Sequence, residues 1–339
     1  DGTADWGNWD TTNTNSDSAI TIAIRPATTF IGNDTDPGVN PTIAPGAATT
    51  TVGTFNLKTD GYSDTATSTT VTLATGTGTS TVAVLITNSA NTTTYCTFYN
   101  PSSDAVSLTG CNLPITNAST TFNIRIKPLT HGAMPAPPGG TYNVTALVTS
   151  IGSTYLSGGA DTTSDTVTID NASPNGATSV SGSAGDQKVT LNWTTSNSSD
   201  FDTTSGSVVY RWAAASAGSE VPDEGTTPGT GDTDGTATVA CVISSAASTA
   251  LSKINGSGGD TGCTTTALTN GQQYTYVAFQ RETRGNYDVG VNIGTFTPAG
   301  VSLTFTIDTS SVSFVSTIIP GTPVSTSSVL TVNTNNSTG

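Results

Sequence analysis

The stretch DQKVTLNW, residues 186–193, decides the fold class. Its apolar residues Val189, Leu191 and Trp193 alternate with polar ones, which is the period-two pattern of a strand that buries one face. The same alternation recurs at AITIAI (19–24), STVAVLI (80–86) and TFNIRI (121–126). No stretch shows a sustained helical period. The sequence therefore predicts an all-β chain of half-buried strands.

Composition supports this prediction and excludes several classes of partner. The 339 residues are rich in Thr and Gly, and these supply pleated surfaces and turns respectively. Nine basic against 24 acidic residues give a net charge of -15, which argues against nucleic acids and anionic membrane surfaces as partners. No run of about 18 apolar residues occurs, so no membrane span is predicted.

Turn-rich segments divide the chain into tandem immunoglobulin-like or fibronectin III-like β-sandwiches with extensions at both ends. Strand-like runs separated by such turns are typical of a sandwich. The predicted organisation is an extended N-terminal arm (1–18), an immunoglobulin-like sandwich (19–170), a linker (171–175), a second sandwich (176–298) and a partial β-module or strand-donating tail (299–339).

The cysteines form two pairs that are close in sequence, Cys96 with Cys111 and Cys241 with Cys263. Each pair lies within one predicted sandwich, so we expect two local disulfides. Buried free thiols are the alternative. A zinc site is disfavoured because neither pair has Cys-x-x-Cys spacing and His131 is the only histidine. Disulfides indicate an oxidising compartment, which predicts an extracellular or cell-surface location.

Three segments carry a resemblance to a known family: DQKVTLNW (186–193), VVYRWAA (208–214) and TALTNGQQYTYVAFQ (266–280). Together with TFTP (295–298), they resemble a fibronectin type III domain over residues 176–298. The resemblance implies that Trp193 is the core tryptophan of the second strand. It also implies that Leu268 and Tyr274 belong to the turn and tyrosine corner before the sixth strand.

One segment departs from that family. Residues 216–262 are longer than the usual middle of such a domain, and we interpret them as an elaborated loop stapled by Cys241–Cys263. In the first sandwich, APPGGTYNVTALVTS (136–150) is similar to the final hairpin of immunoglobulin-like modules from large secreted microbial surface proteins.

The sequence contains no recognisable set of catalytic residues. His131 lies in a turn-rich segment, and no nucleophile elbow or phosphate-binding glycine pattern occurs. The many Asp residues leave a glycosidase carboxylate pair open, but most of them lie in predicted turns. The sequence therefore predicts a protein that is not an enzyme.

Clusters of acidic side chains supply the kind of oxygen ligands that calcium binds. They occur at DTDPG (34–38), at GDTDG (231–235) and in the linker at 170–175. None completes the twelve-residue loop of an EF-hand, and solvated turn carboxylates are the alternative. We predict no cofactor and assign no metal ligand, with calcium left open.

The C-terminal segment carries the functional prediction. In VSLTFTI (301–307) the residues Val301, Leu303, Phe305 and Ile307 share one face, and that face needs a cover. Phe314 follows in a second apolar run, while Trp6 and Trp9 in the arm are typical interface anchors.

These features predict a structural subunit of an extracellular filament or surface layer. Its partners are copies of itself in a head-to-tail homopolymer, joined by β-strand pairing between subunits. The alternative is an adhesin or glycan-binding module of a larger secreted protein. The tail separates the two hypotheses, because a binding module does not need half a domain.

Overall fold

The computed structural model describes residues 27–300, and this part of the chain is all-β. Two short 3-10 turns, Gly78–Ser80 and His131–Ala133, interrupt the strands. The predicted arm and tail lie outside the described residues, and so do the interface residues Trp6, Trp9, Val301, Leu303, Phe305, Ile307 and Phe314.

Twelve strands build the first sandwich. They are β1 (Thr28–Asn33), β2 (Thr42–Ile43), β3 (Thr50–Thr59), β4 (Asp64–Leu73), β5 (Thr81–Asn88), β6 (Thr94–Tyr99), β7 (Ala105–Ile115), β8 (Thr120–Pro128), β9 (Thr141–Val144), β10 (Ala146–Gly152), β11 (Leu156–Gly159) and β12 (Val167–Asp170). A six-stranded sheet, ordered β11-β1-β3-β8-β5-β6, is accompanied by the three-stranded sheets β10-β4-β7 and β2-β12-β9. The pairs β1–β11 and β2–β12 are parallel.

The core of the first sandwich is aliphatic with a few aromatic rings. Leu57, Ile86 and Leu108 are fully buried, because alternate positions of their strands all point inward. Phe55 and Phe122 stack with ring centroids 5.5 Å apart. Each such side chain contributes about 1.5–3 kcal/mol by leaving water, so this layer supplies most of the stability of the sandwich.

Eight further strands build the second sandwich. They are β13 (Thr178–Gly185), β14 (Lys188–Thr194), β15 (Ser207–Trp212), β16 (Thr233–Asp234), β17 (Ala237–Ile243), β18 (Ala250–Gly256), β19 (Tyr274–Gln280) and β20 (Val291–Phe296). A three-stranded sheet, β13-β14-β18, accompanies the five-stranded sheet β16-β17-β15-β19-β20. This division of the strands gives a fibronectin III-like sandwich.

The second core is centred on Trp193, which is 1% exposed and belongs to one apolar cluster with Leu268, Tyr274 and Tyr276. The Tyr274 hydroxyl accepts a hydrogen bond from the Thr269 backbone N–H at 3.0 Å, the contact that defines a tyrosine corner.

The interpretation of residues 216–262 as an elaborated loop was wrong. The segment contains β16, β17 and β18, and β17 pairs with β15 while β18 pairs with β14. The sequence of β17, ATVACVI, is an almost continuous apolar run, and that of β18, ALSKING, contains Lys, Asn and Gly. Neither therefore shows a clean alternation, although Val239 and Ile243 are buried. The part before Thr233 is a long connection, and shorter connections follow β17 and β18.

Both predicted disulfides are present. Cys96 of β6 bonds Cys111 of β7, which joins edge strands of two sheets across a separation of 15 residues. Cys241 of β17 bonds Cys263, which lies beyond β18, across a separation of 22 residues. The first bond therefore ties two sheets together, and the second ties β17 to the segment after β18, where Cys263 also forms a β-bridge with Cys241.

Candidate functional site

The connection between the two sandwiches is held on both sides by hydrogen bonds. On the first side, the Asn171 side chain donates to the Pro135 carbonyl at 2.9 Å, and the Ser173 N–H donates to the Pro138 carbonyl at 3.1 Å. On the second side, the Asn175 side-chain amide donates to Asn197 Oδ1 at 2.8 Å. The connection is therefore anchored along its length and does not behave as a free tether.

A loop of the second sandwich, residues 281–290 between β19 and β20, reaches the last strand of the first. Asn286 is 2% exposed, and its side-chain amide donates to the Asp170 carbonyl at 3.0 Å. Its backbone N–H donates to Glu282 Oε1 at 2.8 Å. Asn286 thus links the end of β12 to a buried carboxylate of the other sandwich.

His131 packs against two glycines of the second sandwich, Gly225 and Gly285. A Cβ atom at Gly225 would lie 2.6 Å from His131 Cδ2, and both glycines have positive φ angles, +79° and +98°. Glycine is thus required twice here, for space and for backbone conformation. Burial lowers the pKa of His131, so the imidazole is neutral at pH 7 and acts as a packing group of the junction.

The junction also collects three carboxylates that accept backbone hydrogen bonds. Burial raises the pKa of Glu224 to about 7 and that of Glu282 to about 7, and each further gains from neighbouring negative charge. Burial likewise raises the pKa of Asp288 to about 6. Arg281 forms its ion pair with Asp202, which leaves these three groups without a direct cationic partner among the described residues.

An open cavity of about 690 Å³ lies at the same junction. Met134 and Pro137 line it from the first sandwich, while Tyr287 and Val289 line it from the second. Its walls are mostly apolar, and the side chains of Val221 and Val289 at the cavity are 54% and 68% exposed. The cavity can therefore accept an apolar group from outside.

One group of carboxylates has the spacing that a cation requires. Oxygens of Asp170, Asp200 and Glu282 lie within 4.8 Å of one another. Calcium takes six to eight oxygen ligands, and this group supplies three carboxylates, so it does not by itself define a calcium site.

The other two acidic motifs serve local structure. Asp36 Oδ1 accepts the Thr54 N–H at 2.8 Å, and Asp232 Oδ2 accepts the Gly229 N–H at 2.7 Å. Of the three motifs singled out in the sequence, only the linker contributes to the carboxylate group, through Asp170.

Sequence patterns did not point to Glu224, Glu282 or Asn286. The one available signal is rarity, because the chain has only three Glu residues and two of them meet at this junction. No helix within residues 27–300 has the length and apolarity to cross a membrane.

No family model and no curated protein matches this sequence. Several solved structures align with it at low similarity. The chicken CNTN1 FN1-FN3 domains are 10% identical over 79% of this chain and 66% of that chain, with a TM-score of 0.29. The fibronectin(III)-like modules of Clostridium thermocellum CbhA are 10% identical over 82% of this chain and 99% of that chain, with a TM-score of 0.23.

The BSP domain of a biofilm associated protein is 14% identical over 81% of this chain and 30% of that chain, with a TM-score of 0.20. The chain thus spans less than two thirds of the CNTN1 fragment and of the BSP domain. Superpositions this loose carry no argument about function. The strand order, the tyrosine corner and the buried Trp193 carry the description of the fold.

Proposed function

We propose that this chain is a structural, non-enzymatic subunit of an extracellular filament or surface layer, assembled by β-strand pairing between copies. The observation that carries the proposal is the alternating apolar pattern of residues 301–307, which follows a second sandwich that already has its own strands. The second sandwich is built from its own eight strands, and its edge strands β13 and β20 contact each other. Yet residues 301–307 repeat an uncharged, alternating pattern directly afterwards.

The free energy gained by burying these apolar side chains is large enough to hold subunits together. Covering Val301, Leu303, Phe305 and Ile307 contributes about 1.5–3 kcal/mol for each side chain, roughly 6–12 kcal/mol in all. A strand of seven residues also satisfies a row of backbone groups when it pairs with an open sheet. Such a head-to-tail contact does not close on itself, so it continues into a filament or layer.

The described body suits a subunit that transmits force. Each sandwich is cross-linked by a disulfide, and the connection between the sandwiches is anchored to both. Two disulfides without a free cysteine also support an oxidising, extracytoplasmic location.

Deletion of residues 301–339 tests the proposal. We expect the truncated protein to sediment as a monomer under conditions in which the full chain assembles. A matched variant keeps the length of the tail but changes Val301, Leu303, Phe305 and Ile307 to Thr, and we expect the same loss. Filaments or layers of unchanged dimensions from both variants would refute the assembly model.

The junction cavity favours a second candidate function, that of an adhesin or glycan-binding module. Its exposed Val221 and Val289 offer apolar contact to a ligand that enters from solvent. Calorimetric titration of the full chain with oligosaccharides tests this function. Saturable binding that is lost in Val289→Lys would support it over assembly.

A further inference from the structure

The cavity at the junction of the two sandwiches adjoins a second, smaller cavity. The larger one has a volume of about 690 Å³ and mostly apolar walls, and the smaller one has a volume of about 240 Å³. Asp223 and Thr226 line both of them. Asp232 and Asp234 also line the smaller cavity, and none of the described residues lining it is basic. An apolar compartment thus lies beside an acidic one.

Hydrogen bonds hold the walls of the larger cavity in place. The Gly225 N–H donates to the Gly285 carbonyl at 2.9 Å. Tyr287 donates its backbone N–H to Glu224 Oε2 at 2.8 Å and its hydroxyl to the Thr226 carbonyl at 2.9 Å. These three bonds fasten the connection between β15 and β16 to the loop between β19 and β20. The cavity is therefore formed before a ligand arrives, which lowers the entropic cost of binding.

The larger cavity also presents exposed apolar surface. Val221 and Val289 are two of six large apolar side chains that are exposed in the described part of the chain. Met134 and Pro137 of the first sandwich line the same cavity. Exposed apolar residues that lie together typically mark a site of contact with another molecule. An apolar group that covers them removes their surface from water, and this supplies affinity.

Charge decides which apolar ligand fits. Residues 212–252 contain five acidic residues and no Lys, Arg or His. The Asp223 carboxylate and Glu224 Oε1 accept no hydrogen bond from the described residues, so these oxygens are available to a donor from outside. Arg281, whose charge acts on Glu224, forms its ion pair with Asp202. An ammonium group supplies both the hydrogen-bond donors and the positive charge that these carboxylates need.

The chain's own ends have the wrong charge for this place. Residues 1–24 contain four Asp and residues 301–339 contain one, and neither segment contains Lys or Arg. Like charges oppose such a contact, so both ends are poor occupants. A neutral glycan can donate hydrogen bonds to the carboxylates but does not neutralise them. The best occupant is therefore a separate molecule with a positive charge.

We propose that the larger cavity binds a small organic amine, with its aromatic or branched aliphatic body against Val221 and Val289 and its ammonium group on Asp223 and Glu224. This inference goes beyond the assembly of subunits and does not depend on it. Burial disfavours the charged form of Glu224 and raises its pKa to about 7, whereas a bound ammonium group favours that charged form. The amine thus supplies the direct cationic partner that Glu224 does not have within residues 27–300.

The first test compares probes that share an indole ring, by calorimetric titration of the full chain at pH 8. We expect the cation tryptamine to bind saturably and about tenfold more tightly than the neutral tryptophol, because only tryptamine pairs with the carboxylates. The anion indole-3-acetate should not bind saturably, and neither should ethylamine, which has the charge without the apolar body. Absence of saturable tryptamine binding, or equal affinities for tryptamine and tryptophol, would overturn the proposal.

The second test removes the charge and keeps the shape of the site. In Asp223→Asn with Glu224→Gln the affinity for tryptamine should fall about tenfold, to that for tryptophol, while the affinity for tryptophol stays the same. The matched control, Asp60→Asn with Asp186→Asn, removes the same charge at exposed positions that line neither cavity. It should leave both affinities unchanged. An equal loss in the control would show that the net charge of -15 attracts the amine, and the site would be refuted.

The third test locates the site without any substitution. A tryptamine that carries a diazirine on its ring is irradiated with the full chain, and the adducts are mapped by mass spectrometry. We expect adducts at Val221 and Val289, and excess unlabelled tryptamine should suppress them. If the adducts map elsewhere while deletion of residues 301–339 abolishes assembly, the amine site is wrong and the proposed function stands. If the adducts map as expected while the deletion leaves assembly intact, the amine site stands and the proposed function fails.

Discussion

The two sandwiches stabilise the same architecture in different ways. The first relies on aliphatic side chains and the Phe55–Phe122 stack. The second uses aromatic residues that are also hydrogen-bonded: Trp193 Nε1 donates to Ser207 Oγ at 2.8 Å, and the Tyr276 hydroxyl donates to Asn255 Oδ1 at 3.0 Å. A buried aromatic residue with a polar atom fits only where its partner lies, so the second core constrains its sequence more tightly. This difference is consistent with the longer family resemblance of the second sandwich, which extends over residues 176–298.

The largest expected effect comes from removing the central ring of each core. Trp193→Ala should lower the free energy of unfolding of the second sandwich by about 3–5 kcal/mol, and Phe122→Ala should do the same for the first. Calorimetry then shows whether each substitution shifts a separate transition or one common transition. A loss below about 1 kcal/mol for Trp193→Ala would contradict its central position in the core.

The disulfides should contribute nearly equally to the two sandwiches. In the chain-entropy model each is worth about 3 kcal/mol, with the longer Cys241–Cys263 loop about 0.3 kcal/mol ahead. Cys-to-Ser double variants of each pair, measured by denaturant unfolding, give the two values. Thiol titration of the unfolded, unreduced wild type should find no free thiol, and four reactive thiols would exclude the oxidised state.

The tyrosine corner tests the polar part of the second core alone. Tyr274→Phe removes the acceptor of the Thr269 N–H and should cost about 1 kcal/mol, while the ring remains in place. Tyr62→Phe is the matched control, because Tyr62 is 88% exposed and should show no change. Equal effects of the two substitutions would mean that the corner hydrogen bond contributes nothing to stability.

The last expected effect concerns pH at the junction. Because burial raises the pKa of Glu224 to about 7, the folded state holds this proton between about pH 4.5 and pH 7 while the unfolded state releases it. Stability is therefore lost as pH rises through this window. Glu224→Gln should raise the melting temperature at pH 8 and leave it nearly unchanged at pH 4.

Two comparisons separate the effect of Glu224 from those of other titrating groups. Hydrogen bonds from Thr236 and Trp212 hold the pKa of Glu220 at about 2, so Glu220→Gln should lower the melting temperature at pH 8, opposite in sign. Burial lowers the pKa of His131, which opposes the carboxylate trend below about pH 6.5. His131 is common to wild type and Glu224→Gln, so its contribution cancels. A lower melting temperature for Glu224→Gln at pH 8 would contradict the model.

Much of the fold could be predicted because its determinants are local. Alternation in KVTLNW identifies a half-buried strand, and the Asn270–Gly271 pair identifies a turn in which Gly271 has a φ of +84°. The two cysteine pairs could be matched because each is close in sequence. The strands β17 and β18 were missed because the apolar run ATVACVI and the mixed segment ALSKING lack a clean alternation, and only pairing with β15 and β14 defines them.

By itself, then, the sequence determined the all-β class, the disulfides and the segment with a fibronectin III-like signature, since each depends on residues near one another in the chain. Only the tertiary structure decided the junction between the sandwiches and the order of the strands in each sheet. Glu224, Glu282 and Asp288 are ordinary loop acids in the sequence, and burial beside one another is what raises their pKa values. Phe98 is an ordinary strand aromatic in the sequence, and only the sheet order, which places β6 at the end of the six-stranded sheet, leaves it 37% exposed. Both properties come from contacts between distant segments, and no local pattern in the sequence records such contacts.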